Sequence, residues 1–122
     1  MNDKERNART VRELQDAMDH ANTLKRCAGC VAALAVAAND LRCRGELDTY
    51  AGRNIYAAFE SAAELLRGIT PDNRARTSTG IHEAFGRALS IADGNLERDN
   101  PARVALFTAA ALRPSPRPSS PA

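Results

Sequence analysis

The chain has 122 residues, 26% of them charged and 43% apolar, with a formal net charge of +2. That length and balance describe one folded domain with a single core and exclude a disordered chain. Arg interleaved with Asp and Glu reads as a solvated surface rather than a nucleic-acid footprint, and the longest apolar run, residues 30–38, is about half the roughly 20 residues a membrane span requires.

Aromatic residues are scarce: two Tyr, three Phe and no Trp. Burial must come from Leu, Ile, Val and Ala, which suits helices packed closely on one another. No stretch alternates β-branched and polar residues as a strand would. The expected fold class is all-α: a four-helix arrangement built on a long antiparallel helical hairpin, with a disordered Pro-rich tail over residues 113–122.

Residues 1–7 are polar and expected to be a flexible start. An apolar stripe follows, through Val11, Leu14, Met18, Ala21, Leu24, Ala28, Val31, Ala35 and Ala38 to Leu41. Steps of three and four predict a helix over about residues 8–43, with its start between Asp3 and Ala8. In one piece it would be roughly 50 Å long, more than a small domain is wide, so it should overhang. Gly29 permits a bend near Cys27 without requiring one, and a continuous helix is the favoured reading.

Gly45 suits the left-handed position that closes a helix, with Arg42 and Arg44 near the negative end of its dipole. A second helix is expected over residues 46–67, with Glu46 and Asp48 in its first turn. It should fold back on the first, with Ala28, Ala32 and Ala35 facing Ala51, Ala58 and Ala62. Residues 73–80 read as a polar loop. A third helix is expected over 79–92, with Ile81, Phe85, Ala88, Leu89 and Ala92 on one face and Asp93-Gly94-Asn95 closing it. Asn100-Pro101 reads as the cap and first position of a fourth helix, 101–112, carrying Val104, Phe107 and Ala111.

Chemical signals are weak. Cys27 and Cys30 share a helix face and are the candidate metal ligands or redox pair, with His20 and Cys43 as nominal companions. On a straight helix His20 and Cys43 stand about 35 Å apart, so one ion cannot reach all four. Core packing is the favoured reading of both thiols. His82-Glu83 begins as a zinc-protease motif begins, but Gly86 stands where a second His is needed. It reads instead as the first turn of the third helix. Asp16 with Asp19, and Glu60 with Glu64, read as solvated surface. No nucleophile elbow, phosphate loop or dinucleotide fingerprint occurs, so neither enzyme activity nor a cofactor is expected.

Arg67, Arg74, Arg76 and Arg87 could grip phosphates, with Ser78-Thr79-Gly80 at a helix start as an anion site. Balanced charge and the want of stacking aromatics speak against nucleic acid. Lys25-Arg26 ahead of the apolar run imitates a secretory signal, but an acidic helical segment precedes it. The three cysteines fit a reducing cytoplasm.

The better clue is the narrow start of the stripe. Val11, Leu14, Met18 and Ala21 have the spacing of a two-helix seam, flanked by Arg12, Glu13, Asp16, Asp19 and Lys25; packing against the third and fourth helices of the same chain is the favoured reading, and a seam with a second chain the functional one. The expected function is a small non-enzymatic interaction module, such as an adaptor, chaperone-like partner or inhibitor. Its partner would be another protein or a second copy of the chain, bound through that face. A Cys-ligated zinc or redox-sensing protein and a nucleic-acid binder are the alternatives.

Overall fold

The computed structural model describes residues 2–112, so the expected tail over 113–122 lies outside the described residues. The described residues form four helices and no strand: α1 (Asp3–Cys43), α2 (Tyr50–Arg67), α3 (Arg74–Asn95) and α4 (Pro101–Leu112).

α1 is unbroken over 41 residues, a length of about 60 Å. It begins at Asp3, the early end of the expected range, so most of residues 1–7 are helical. Asn2 caps it by accepting from the Glu5 amide at 2.8 Å, and Asp3 and Glu5 lie in its first turn, where the dipole favours them. Its other end closes as the sequence predicts. Gly45 takes φ +71°, its amide reaches the Arg42 carbonyl at 3.0 Å, and the Glu46 amide reaches the Leu41 carbonyl at 2.8 Å. Those two bonds satisfy carbonyls the helix end would leave bare, and the left-handed φ is why glycine stands there.

α2 starts four residues later than expected. Thr49, not Glu46, is the cap, with its hydroxyl accepting from the Gly52 amide at 3.0 Å and donating to the Glu46 carbonyl at 2.7 Å. Glu46 and Asp48 therefore lie in the connection, not in the first helical turn. The turn is pressed against the helix it leads into. A Cβ on buried Gly52 would collide with the Glu46 carbonyl and stand 2.8 Å from Leu47 Cα.

α3 starts five residues earlier than expected. Residues 74–80 are its first two turns rather than a loop. Packing overrides weak local propensity here, because Thr77, Ile81, Ala84, Phe85, Ala88 and Ala92 form one buried face. α4 begins as expected, with the Asn100 side chain accepting from the Ala102 amide at 2.9 Å. Its inner face is Ala102 and Leu106, whereas Val104, Phe107 and Ala111 turn outward.

The core is alanine-rich, and Phe85, Leu34, Leu41, Ile55, Ile81 and Leu106 are its largest fully buried side chains. From α1 it takes only the far half, beginning at Thr23 and continuing through Cys27, Cys30, Leu34, Ala37 and Leu41. That half is about 30 Å long, matching α2 and α3 at about 27 and 33 Å. Arg103 ties α4 to the end of α3. It donates to the carbonyls of Ala92, Asp93 and Leu96, pairs with the Asp93 carboxylate at 3.1 Å and lies 4.8 Å from the centre of the Phe107 ring. No described helix is long and apolar enough to cross a membrane.

Candidate docking surface

Among the described residues, the near half of α1 has almost nothing packed against it. Every residue from Asn2 to Asp19 is exposed, His20 is the first to be half-buried and Thr23 the first to be buried. Arg74, at the start of α3, touches this half by donating to the Asp16 carbonyl at 3.3 Å. Val11, Leu14 and Met18 are 63%, 60% and 60% exposed, and Ala21 is exposed beside them. The four residues singled out in the sequence thus form an apolar strip exposed among the described residues, and the expected seam with α3 and α4 is not made.

This strip is not the beginning of the stripe that enters the core. Helix positions turn by about 100° per residue. The sequence stripe advances mostly in threes, so it winds around the helix instead of running along it. Val11, Leu14, Met18 and Ala21 lie nearly opposite Cys27, Cys30, Leu34 and Ala37 on the α1 surface. The sequence stripe reaches the core face only at its end, at Ala38 and Leu41; Ala28 and Ala32, expected against α2, are exposed and Ala35 is half-buried.

The charges beside the strip are also placed differently from the expectation. In heptad terms Val11 and Met18 are a positions, and Leu14 and Ala21 are d positions. Arg12, Glu13, Asp16 and Asp19 then fall at b, c and f, on the far side. The immediate e and g flanks are Ala8, Thr10, Gln15, Ala17, Asn22 and Leu24, all uncharged. Ion pairs of Arg6 with Asp3 and of Arg9 with Glu13, each at 3.3 Å, occupy the outer side. Exposed pairs of this kind contribute about 0.3–0.5 kcal/mol each.

The strip runs into a groove. Asn22, Lys25 and Gly29 of α1, with Arg26 and Cys30 behind them, form one wall of a cavity of about 510 Å³ completed by Phe85, Ala109 and Leu112. Leu112 is 79% exposed at its mouth, and a Cβ on Gly29 would meet nothing within 4 Å. Sequence reasoning missed this groove, because α4 forms one side of it and no local pattern announces where α4 docks.

The other candidates are dispersed or absorbed. Cys27 and Cys30 are buried in the core and Cys43 is exposed. Among the described residues no three His, Cys, Asp or Glu side chains gather in a way that could hold a metal ion. His20 Nδ1 is buried without a hydrogen-bond partner among the described residues, and it stands alone. Ser78-Thr79-Gly80 is not at a helix start. It lies in the second turn of α3, with the Thr79 hydroxyl bonded to the Ala75 carbonyl at 2.9 Å. His82 and Glu83 lie further along α3, in its third turn, and His82 Nδ1 contacts the Ser78 carbonyl at 2.8 Å. Arg67 is engaged by Glu64 at 2.9 Å and Arg74 by Asp16, while Arg87 is about 20 Å along α3 from Arg74.

No family model matches this chain, and no curated protein or solved structure is significantly similar to it.

Proposed function

We propose that this protein is a helical interaction module that docks another helix along the outer face of α1, binding without catalysis in a reducing compartment. The observation that carries the reading is the exposed strip of Val11, Leu14 and Met18 on a helix half that the described residues leave unpacked. Large apolar side chains aligned at seam spacing with uncharged flanks suit a helix-on-helix contact. The apolar strip would supply the affinity, and the charges on the far side would leave the contact dry without opposing it.

A photo-crosslinking residue settles the matter in cells that express the chain. At position 14 it should yield a discrete adduct, while at position 13, on the far side, it should yield none. Equal adducts at both positions, or none at either, would remove the reading.

A further inference from the structure

The α1 face has a property beyond being apolar: it complements itself when a second copy runs the other way. We propose that the occupant of the strip is α1 of a second copy of this chain, packed antiparallel about a two-fold axis between Leu14 and Met18. This rests on the docking reading above.

The spacing of the four apolar positions is 3-4-3, which reads the same in both directions. With the axis at its centre, Leu14 faces Met18 of the second copy and Val11 faces its Ala21. The polar positions decide between this arrangement and its rivals. Asn7 and Lys25 are the d and a positions on either side of the apolar four, and both are exposed. In the proposed register each faces the other, so polar meets polar while apolar meets apolar. A shift of one heptad sets Asn7 on Met18, or Lys25 on Leu14. A parallel pair sets Lys25 on Lys25. A single polar a or d residue is the usual device by which paired helices select register, because its burial against an apolar partner is costly.

The flanks agree. Around the axis Gln15 faces Gln15 and Ala17 faces Ala17, while Ala8 faces Asn22 and Thr10 faces Leu24. Charges at e and g normally set partner choice and orientation. Here none of these flanks is charged, so identical chains meet without like-charge repulsion, and the small Ala17 lets the helices approach closely. The first turns of the second helix then lie over Lys25, Ala28 and Gly29, at the mouth of the groove beside Leu112. The contact is isologous, so two copies close the assembly.

The full chain is tested in solution at concentrations well above micromolar. The expected result is a mass twice the 13.1 kDa of one chain, returning to that of one chain for Leu14→Glu with Met18→Glu. In a Cys43→Ser background, Ala17→Cys should cross-link two chains by oxidation, while Asn7→Cys, about 27 Å from its own counterpart, should not. Cross-linking through Asn7→Cys would overturn the antiparallel arrangement. A one-chain mass for the parent protein would overturn self-pairing. In that event an adduct to a foreign protein from position 14 would leave the docking reading standing, and the absence of any adduct would remove both.

Discussion

At the scale of single residues, the turn between α1 and α2 is held by two glycines for different reasons. Gly45 supplies a backbone conformation, and Gly52 supplies space. Gly52→Ala keeps helical geometry but drives a methyl group into the Glu46 carbonyl and Leu47. The expected loss is about 1–3 kcal/mol, the cost of overpacking a tight contact, read as a lower urea midpoint at an unchanged slope. Gly45 was legible in the sequence because a helix end has a local signature. Gly52 was not, because the atoms it accommodates are brought there by the fold of the turn. The same distinction separates Asn100, whose capping role follows from its neighbour Pro101, from Thr49. Thr49 was passed over because Glu46 and Asp48 offered an earlier helix start of the right charge.

At the scale of elements, the four helices were legible because each carries a run of apolar residues at helical spacing. The directions of their faces were less so. Residues 74–80 carry no aliphatic side chain larger than alanine. Only burial of Thr77 against the neighbouring helices makes them helical. In α4 the large residues Val104 and Phe107 look outward while Ala102 and Leu106 look inward, because close packing against α1 and α3 selects for shape over size. α1 is the clearest case: the stripe advances mostly by threes, drifts around a helix of 3.6 residues per turn, and passes beside the buried face of Cys27, Cys30, Leu34 and Ala37. The difference between its halves is measurable by amide hydrogen exchange. Amides of residues 27–41 should exchange only with global unfolding. Those of residues 5–15 should exchange far sooner in Leu14→Glu with Met18→Glu, and should be slowed in the parent chain at high concentration. Equal protection of both halves in the double variant would mean that the near half of α1 is packed against its own body.

At the scale of the whole molecule, a body about 30 Å long is attached to a helical arm of similar length. The body's four helices were within reach of sequence reasoning, but not the faces by which α1 and α4 join it. The groove at the base of the arm was not, since it depends on where Leu112 of α4 comes to rest. The arm and the body share one rigid axis, and nine residues separate Met18 from Cys27. Nine residues are about two and a half turns, which is why the two faces oppose each other. The azimuth of the docking face is thus set by counting residues, with no hinge to correct an error. Two alanines inserted between Asn22 and Thr23 would turn the arm by about 200° while leaving every core contact in place. The body would then stand where the first turns of the second helix must lie. The expected outcome is a one-chain mass by sedimentation with an unaltered thermal midpoint of the body. In such a molecule, chain length itself acts as an angular coordinate, and an indel too mild to harm folding is enough to silence assembly.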